Sequence, residues 1–383
     1  MRIGIDARFA VHQRRGIGNY TAKLICNLAE IDRRNEYLLY VDSTRSRDVF
    51  PEQGNFRIRQ ISPSNYPTWE QLMLPARARK DNIDILHSTG NTAPIFLSKR
   101  IRRITTIHDV MYMKDYSILP RSPSLYQACG RFYRRMVVPR VVAHLSAVIT
   151  ISNFCRKEIA EHLPFPRQGE VEVTYLAGND KCRVLDRCPA SAEITRRYGI
   201  SGRYILALGG IDPRKNTQFV IDKYLELKGR GSIEEKLVVV GLANWRQTPF
   251  HSTVAKSRYA DHIVFTDFVT DEELVLLYNC ATVFVYPSLY EGFGLPPLEA
   301  MACGVPVLAS NTTSIPEIVG DAAILIDPAD GDQFKKALLG LLGSESLRTQ
   351  LVGRGFEQVR KFSWRRMAEQ TLQIYESVYR QRN

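Results

Sequence analysis

Two glutamates, Glu291 and Glu299, end the segment Glu291-Gly-Phe-Gly-Leu-Pro-Pro-Leu-Glu299, which carries the most informative chemistry of the chain. The segment follows an apolar run that predicts a buried strand and precedes a predicted helix, so Gly292 and Gly294 would lie in a strand-to-helix turn. Backbone N–H groups in such a turn and at the helix N-terminus favour an anion. Carboxylates instead accept hydrogen bonds from vicinal hydroxyls. The segment therefore predicts a ligand with phosphate between two hydroxyl-bearing groups, as in a nucleotide-sugar.

The whole segment is more specific than its parts, because a single glycine turn or a lone surface glutamate is common in proteins. The acidic pair, the prolines and the following Glu299-Ala-Met-Ala-Cys-Gly-Val-Pro-Val307 resemble the E-x7-E signature of the family 4 retaining glycosyltransferases. The resemblance implies that Glu299 holds ribose hydroxyls and that Glu291 holds sugar hydroxyls. It also implies four donor-binding residues in the turn, namely Gly292, Phe293, Gly294 and Leu295.

Alternating strand and helix patterns run along the chain in two sets, which predicts an α/β protein. The resemblance implies the GT-B architecture, with two Rossmann-like doubly wound domains facing across a cleft. The last predicted helix has Ser363 as its N-cap, and the resemblance implies that this helix crosses back to the N-terminal domain. The predicted parts are an acceptor domain over 1–176, a linker over 177–203, a nucleotide-sugar domain over 204–359 and a C-terminal helix over 360–383.

A second glycine loop, Gly16-Ile-Gly18, follows the first predicted strand and opens a helix, which predicts a second backbone site for an anion. It is not the G-x-G-x-x-G fingerprint of a nicotinamide enzyme, because Thr21 stands where the third glycine would be and the loop lies far past the strand end. This disfavours a dehydrogenase. The resemblance places Gly16 and Gly18 beside the donor phosphates and the acceptor.

Arg214 and Lys215 follow a glycine pair after the predicted strand Tyr204–Leu208. A surface Arg-Lys pair is commonly only solvated, but at the carboxyl edge of a parallel strand it suits a diphosphate. The resembling family commonly has an arginine directly after the first glycine, where this chain has Gly210. The phosphate role is therefore assigned to Arg214 and Lys215.

His108 and Asp109 end another predicted strand, where an imidazole can orient a sugar hydroxyl and contribute charge near the reacting carbon. A lone histidine at a strand end is more often structural, but the pair resembles the family's His-Asp element facing the donor sugar. Ser152-Asn-Phe154 occupies a position that the family uses near the acceptor. Phe268 lies in the loop that contacts the base in the family, and either packs on the base or belongs to the core.

The resulting hypothesis is a retaining hexosyltransferase whose catalytic residues are His108, Asp109, Lys215 and Glu291. Negative charge develops on the diphosphate as it leaves, and the cationic pair with nearby helix N-termini would stabilise that charge. We expect no D-x-D motif or carboxylate cluster to offer a cation site, and therefore neither a metal nor another cofactor. The overall pattern resembles bacterial mannosyl- and rhamnosyl-type transferases, which implies GDP-mannose as donor and a glycan or polyprenyl-linked acceptor. A nucleotide-sugar epimerase of the same architecture and a non-catalytic nucleotide-sugar binding protein stay open as alternatives.

The composition is that of an ordinary soluble protein, with 44% hydrophobic and 24% charged residues. The seven cysteines include no C-x-x-C pair, and the first strand begins almost at Met1, so we expect reduced thiols, no signal peptide and a cytoplasmic location. The net charge of +12 is concentrated in the first half, around 99–103 and 131–140. In the second cluster arginines alternate with apolar residues, which indicates either a solvated face or a surface that binds the inner face of the anionic cytoplasmic membrane. No nucleic-acid recognition motif accompanies the charge, so no nucleic-acid partner is expected.

Overall fold

The computed structural model describes residues 1–12, 16–42, 49–62, 65–114, 125–164 and 171–381. The chain divides into two compact units, a first unit of Met1–Leu176 with Ser363–Asn383 and a second unit of Ala177–Phe362. Each unit is built around one parallel β-sheet with helices between its strands. The predicted α/β class with two Rossmann-like doubly wound domains is therefore confirmed.

The first unit contains a seven-stranded parallel sheet in the order β3-β2-β1-β4-β5-β6-β7. The order reverses direction between β1 and β4, which is where open parallel sheets bind ligands. The strands of this sheet are β1 Arg2–Asp6, β2 Glu36–Val41, β3 Phe56–Gln60, β4 Ile85–Ser88, β5 Arg102–Thr106, β6 Ala147–Thr150 and β7 Val171–Val173.

The second unit contains a six-stranded parallel sheet in the order β10-β9-β8-β11-β12-β13, so β8 and β11 are neighbours at its reversal point. Their apolar runs are buried because helical connections cover both faces of a parallel sheet. The strands of this sheet are β8 Tyr204–Leu208, β9 Lys236–Val240, β10 Ile263–Thr266, β11 Val283–Tyr286, β12 Val307–Ser310 and β13 Ala323–Ile326.

Helices connect the strands in both units, and short 3₁₀ turns occur at Met111–Met113, Pro213–Lys215, Trp245–Gln247 and Ala260–His262. A π-helical turn, Trp69–Met73, joins α3 to α4. The helices are α1 Arg8–Val11, α2 Ile17–Ile31, α3 Tyr66–Thr68, α4 Leu74–Lys80, α5 Leu125–Val142, α6 Asn153–His162, α7 Arg187–Tyr198, α8 Thr217–Gly229, α9 Phe250–Ala255, α10 Asp271–Cys280, α11 Leu295–Ala302, α12 Ile315–Val319, α13 Gly331–Gly343, α14 Glu345–Val359 and α15 Trp364–Arg380.

The predicted cap of the last helix is confirmed, because the Ser363 side chain accepts a hydrogen bond from the backbone N–H of Arg366 at 3.3 Å. α15 lies in the first unit, where it packs on α2 and where the Tyr375 hydroxyl lies 2.6 Å from Nδ1 of His87. The stretch 177–203, predicted as a linker, lies in the second unit and contains α7, which packs on α10. No helix of the described ranges has the length and apolarity that crossing a bilayer requires.

Candidate active site

The turn after β8 brings Lys215 to the carboxyl edge of the second sheet. A Cβ on Gly209 would lie 2.6 Å from Val239 Cγ1, so only glycine fits directly after the strand. The backbone N–H of Gly210 donates to the Thr217 hydroxyl at 3.0 Å, which fixes the turn against α8. The 3₁₀ turn Pro213–Lys215 follows, and Lys215 points back toward the end of β11.

Lys215 and Glu291 form an ion pair where β8 and β11 lie side by side. Lys215 Nζ donates to Glu291 Oε1 at 2.8 Å and to the Tyr286 hydroxyl at 2.9 Å. Tyr286 and Ser288 each donate a hydroxyl to the same Oε1 at 2.7 Å. Since all three donors bind Oε1, Oε2 is the carboxylate oxygen that can accept a hydrogen bond from a ligand hydroxyl.

The surroundings of Glu291 keep its carboxylate ionised. Burial acts to raise the pKa of Glu291, but the charge and hydrogen bond of Lys215, with the hydroxyls of Tyr286 and Ser288, outweigh burial and lower it. The side chain is 15% exposed, so solvent screens this pair only weakly. The two residues are therefore a fixed anion and a fixed cation at the edge of the sheet.

The glycine turn after Glu291 offers backbone rather than side-chain contacts. Gly294 has a φ of +111°, a conformation that glycine adopts without strain, and it caps the N-terminus of α11. The Ser314 hydroxyl donates to the carbonyl oxygens of Glu291 and Phe293 at 2.8 Å and holds the turn. The Phe293 side chain is buried against Phe362, with ring centroids 5.8 Å apart, so it belongs to the core of the unit.

The helix that follows this turn is a weaker anion site than the sequence predicts. Pro296 and Pro297 occupy the second and third positions of α11, and proline has no N–H to donate. The expectation that several N–H groups at this helix end point at negative charge is therefore wrong. The turn Gly292–Gly294 and Leu295, at the first helical position, precede the two prolines.

Glu299 lies on α11 in a different environment from Glu291. Burial, with a smaller contribution from the charge of Asp271, raises the pKa of Glu299 to about 7, while the backbone N–H of Asn179 acts to lower it. The loop at Gly178 covers the side chain so closely that a Cβ there would lie 3.6 Å from Glu299 Cγ. This carboxyl group therefore titrates near neutral pH.

The Arg214 guanidinium is hydrogen-bonded to a carboxylate of its own turn. Its guanidinium forms a bidentate hydrogen bond with the Asp212 carboxylate, with Nε 3.0 Å from both oxygens. The backbone carbonyl oxygen of Arg214 accepts hydrogen bonds from the Leu289 N–H at 2.7 Å and from the Ser288 hydroxyl at 2.9 Å. Arg214 thus ties the turn after β8 to the loop after β11.

Phe268 follows β10 and is 61% exposed, so the alternative that it belongs to the core is wrong. An exposed ring at this edge of the sheet can stack on a planar ligand.

His108 follows β5 in the first unit and is held in one tautomer. Its Nε2 lies 2.9 Å from the carbonyl oxygen of Thr89, which can only accept, so Nε2 carries the proton and Nδ1 has the lone pair. Its backbone N–H donates to Asn91 Oδ1 at 2.6 Å. Burial lowers the pKa of His108, so the imidazole is neutral and the expected charge contribution is not supported. A neutral imidazole can still accept a hydrogen bond from a hydroxyl.

An aromatic ring and a network of hydroxyl and imidazole groups lie next to His108. The Tyr20 ring lies edge-on to the imidazole, with centroids 4.8 Å apart, and its hydroxyl lies 2.9 Å from Thr106 Oγ1. The same Thr106 oxygen lies 2.8 Å from Nε2 of His87, and burial lowers the pKa of His87 to about 3. Tyr20 belongs to α2, whose N-cap is Gly16 with a φ of +50° and whose first turn contains Gly18. The structure therefore brings the predicted glycine loop and His108 to one edge of the first sheet.

Asp109 and Ser152 have local structural contacts. Asp109 Oδ1 accepts a hydrogen bond from the Met111 N–H at 3.1 Å, at the start of the 3₁₀ turn. Ser152 Oγ accepts from the Cys155 N–H at 3.1 Å as the N-cap of α6.

One D-x-D spacing does occur, at Asp330-Gly-Asp332, outside the motif segments. The Asp330 carboxylate accepts from the N–H groups of Asp332 and Gln333 at the start of α13, and Asp332 pairs with Lys335 at 2.9 Å. These contacts explain the pair without a cation. Over the described ranges, Glu158, Glu161 and His162 on α6 are the group with metal-ligand spacing, and Glu158 pairs with Lys114.

Several residues of this geometry were not predicted. Tyr286 and Ser288 complete the surroundings of Glu291, and Tyr20 and Asn91 those of His108. Tyr286 could have been predicted as a site residue, because it is the polar residue at the end of an apolar strand. The others are brought in by the tertiary fold.

Comparison with known proteins places the chain among glycosyltransferases. The model of "Glycosyltransferase Family 4" matches residues 14–176, and that of "Glycosyl transferases group 1" matches residues 193–358. The chain is 30% identical over 378 residues to O-antigen chain mannosyltransferase B of Escherichia coli, which covers 94% of this chain and 95% of the relative. It is 26% identical to O-antigen chain mannosyltransferase RfbU of Salmonella typhimurium, over 82% of this chain and 80% of the relative. Sucrose-phosphate synthase from Thermosynechococcus elongatus superposes with a TM-score of 0.76 at 19% identity, covering 99% of both chains.

Proposed function

Because this chain belongs to the family 4 glycosyltransferases of the GT-B fold, we propose that it transfers mannose from GDP-mannose to a glycan or lipid-linked acceptor, with retention at the anomeric carbon. The predicted enzyme class, a hexosyltransferase of surface polysaccharide synthesis, is confirmed by the family and by the relatives. The sugar is proposed from relatives that are named mannosyltransferases and match most of the chain.

The observation that carries the proposal is the Lys215–Glu291 pair at the reversal point of the second sheet. A nucleotide-sugar needs a cation for its diphosphate and an acceptor for its sugar hydroxyls. Lys215 Nζ supplies the first and Glu291 Oε2 the second, within one hydrogen-bonded group. In this account Glu299 accepts from the ribose hydroxyls, the turn Gly292–Leu295 lies along the sugar and phosphate, and Phe268 packs on the base.

Transfer breaks the bond between the anomeric carbon and the diphosphate oxygen and forms a bond from that carbon to an acceptor oxygen. The acceptor's proton passes to the departing phosphate oxygen, so no residue needs to store it. Lys215 stabilises the charge that develops on the diphosphate, an effect worth about 3–4 kcal/mol for one preorganised donor. In the first unit, His108 accepts a hydrogen bond from a sugar hydroxyl through Nδ1, and the loop of Gly16 and Gly18 lies beside the substrates. No metal or other cofactor is invoked for this step.

A panel of nucleotide-sugars tests the function. We expect GDP-mannose to raise the thermal midpoint most and to be hydrolysed slowly without acceptor, and Glu291→Ala to abolish that hydrolysis. NMR of a transfer product should show the anomeric configuration of the donor. A UDP-sugar as the preferred donor would overturn the proposed donor, and an inverted product would overturn the proposed stereochemistry.

Two alternatives give different products in the same panel. An epimerase of this architecture would convert the donor sugar without an acceptor, and a binding protein would bind the donor without hydrolysis or transfer. The ionised Glu291 beside Lys215 favours the transferase. The proposed location is the cytoplasm, at the inner face of the cytoplasmic membrane.

A further inference from the structure

Arg8, which follows β1, places a buried guanidinium at the carboxyl edge of the first sheet. Only 7% of its side chain is exposed. Three aromatic rings lie against the guanidinium, with Cζ 4.1 Å from the ring centroid of Tyr66, 4.7 Å from that of Trp69 and 5.5 Å from that of Phe9. These cation–π contacts stabilise the charge, but they use none of the five N–H donors as conventional hydrogen bonds.

The N–H donors of the Arg8 guanidinium have no hydrogen-bond acceptor among the described residues. The Asp42 carboxylate forms a long ion pair with it, with Oδ2 3.9 Å from Nε, which is too far for a hydrogen bond. A buried donor without an acceptor costs free energy, and a buried charged donor costs more. The guanidinium therefore has donors that the oxygen atoms of a ligand could satisfy.

Asp6, the last residue of β1, has the complementary shortage. Its side chain is buried, and within the part of the chain that the structure describes its carboxylate accepts one hydrogen bond, from the Arg8 backbone N–H to Oδ1 at 3.2 Å. Burial raises the pKa of Asp6 to about 7, while the charge of Arg8 acts to lower it. Asp6 Oδ2 is therefore an acceptor that needs a donor, two residues along the chain from donors that need an acceptor.

The aromatic rings around Arg8 are held in place by other contacts. The Tyr66 hydroxyl donates to the buried Glu70 carboxylate at 2.8 Å, which fixes the ring that lies against Arg8. A Cβ on Gly90 would lie 2.1 Å from Phe9 Cε2, so only glycine leaves room for the Phe9 ring. Phe9 is partly exposed, so its ring can pack against the C–H groups of a ligand.

Thr89 joins Asp6 to His108. It follows β4, the strand that pairs with β1 at the reversal point of the sheet. The Thr89 hydroxyl donates to the Asp6 carbonyl oxygen at 2.8 Å, and the Thr89 carbonyl oxygen accepts from His108 Nε2 at 2.9 Å. Asp6, Arg8 and His108 therefore lie at the same edge of the first sheet.

The charges around Arg8 favour a neutral ligand. Asp42 forms its long ion pair with Arg8, and both Asp42 and Glu70 add negative charge near Asp6. One guanidinium among three carboxylates leaves no excess positive charge for a phosphate or a carboxylate. Two neighbouring hydroxyls of a pyranose fit instead, because one can donate to Asp6 Oδ2 while the other accepts from an Arg8 N–H.

We propose that Asp6 and Arg8 form a saccharide subsite that binds two vicinal hydroxyls of the acceptor, with Phe9 packed against the sugar ring. The inference rests on the proposed function and deepens it, because it names the part of the acceptor that the first unit recognises. That part is a neutral pyranose, bound at the edge of the sheet that also carries His108.

Titrations followed by ligand-observed NMR test the inference with the full-length protein and no donor. The probes are methyl α-D-mannopyranoside, methyl α-D-glucopyranoside and methyl N-acetyl-α-D-glucosaminide, which all have vicinal hydroxyls. We expect at least one of them to bind the wild type. Tetrahydropyran-2-methanol, which has the ring without vicinal hydroxyls, should bind at least about tenfold more weakly than that glycoside.

Two conservative variants remove one side of the subsite each. Arg8→Lys keeps the charge but loses the planar fork, and Asp6→Asn keeps the shape and the acceptor for the Arg8 N–H. Each should raise the Kd of the bound glycoside about tenfold. Arg77→Lys, which changes an arginine of the same unit whose Nε donates to Asp81 at 2.9 Å, is the matched control and should bind like wild type. The thermal midpoint of each variant shows whether it is folded.

Several results would overturn the inference. They are no binding of any glycoside, equal binding of tetrahydropyran-2-methanol, or wild-type affinity in the folded Arg8 and Asp6 variants. Loss of glycoside binding in Glu291→Ala alone would place the sugar in the second unit. Binding of inorganic phosphate that Arg8→Lys abolishes, with no glycoside bound, would assign Arg8 to an anion. Since no donor is present, these results are separate from GDP-mannose hydrolysis, whose absence would count against the proposed function instead.

Discussion

The carboxyl edges of the two sheets carry opposite kinds of chemistry. At the ends of β8 and β11, Lys215 and the ionised Glu291 form a fixed charge pair. Beside the ends of β4 and β5, burial keeps His87 and His108 neutral among hydroxyl groups. A diphosphate needs charge and a sugar needs hydrogen bonds, so we propose that the residues at the strand ends give the two sheets different binding roles.

Lys215→Ala should have the largest effect of the changes that test this comparison. Without the ammonium group the diphosphate leaves unassisted, and Glu291 loses its cation, so we expect kcat for donor hydrolysis to fall about 100- to 1,000-fold. Steady-state kinetics at saturating donor measures this. Lys256→Ala, which changes an exposed lysine of the same unit, is the control and should leave kcat unchanged. Unchanged turnover for Lys215→Ala would remove the leaving-group role.

His108→Ala tests the carboxyl edge of the first sheet, where the two histidines are neutral. Loss of one hydrogen bond to a sugar hydroxyl should lower kcat about 10- to 100-fold. Because the imidazole is neutral over the working range, we expect the remaining pH–rate profile between pH 6 and 8 to keep its shape. A profile that loses an ionisation in this range would show that His108 acts as a charged group.

Glu299 should make stability depend on pH in the direction opposite to an ordinary paired carboxylate. Its pKa is raised to about 7, so between the unfolded value and pH 7 the native state binds more protons than the unfolded state. The free energy of unfolding therefore falls as pH rises through this range. Relative to wild type, the free energy of unfolding of Glu299→Gln should rise by about 2–3 kcal/mol between pH 5 and pH 8, as measured by urea denaturation.

Glu291→Gln is the control for that measurement. The pKa of Glu291 is lowered, so its carboxylate is ionised in both states at pH 5 and above, and its stabilising contribution is lost only as pH falls further. The stability difference between Glu291→Gln and wild type should be the same at pH 5 and pH 8. If the two glutamine variants respond to pH alike, the contrast between the two glutamates is wrong.

Asp109→Asn should have the smallest effect. Asn can accept the same hydrogen bond from the Met111 N–H, so we expect kcat and KM within about twofold of wild type. A loss comparable to that of His108→Ala, measured in the same assay, would give Asp109 a direct part in the reaction.

The strand pattern and the E-x7-E segment were sufficient to predict the fold. The ion pair between Lys215 and Glu291, which are 76 positions apart, was not predicted, and it follows from the pairing of β8 with β11. β3 and β7 were missed: β7 is three residues long, and β3 shows only a short alternation of apolar and polar residues that pairs with β2 alone.

Side-chain partners set by loop geometry could not be predicted. Arg214 hydrogen-bonds to Asp212, and Arg131 and Arg135 hydrogen-bond to backbone carbonyl oxygens. These contacts depend on the three-dimensional path of each turn, which the sequence does not give. The protonation states of His108 and Glu299 likewise follow from burial, which a sequence shows only indirectly. The loss of N–H donors at Pro296 and Pro297 was visible in the sequence and follows once the helix start is known.

The affinity for GDP, measured by titration calorimetry on wild type, Lys215→Ala and His108→Ala, tests the division of roles most directly. We predict that Lys215→Ala weakens GDP binding about tenfold or more, since a charge-assisted hydrogen bond to phosphate is lost, and that His108→Ala leaves it unchanged. Full affinity in Lys215→Ala, or an equal loss in His108→Ala, would contradict the assignment of the diphosphate to the charged edge of the second sheet.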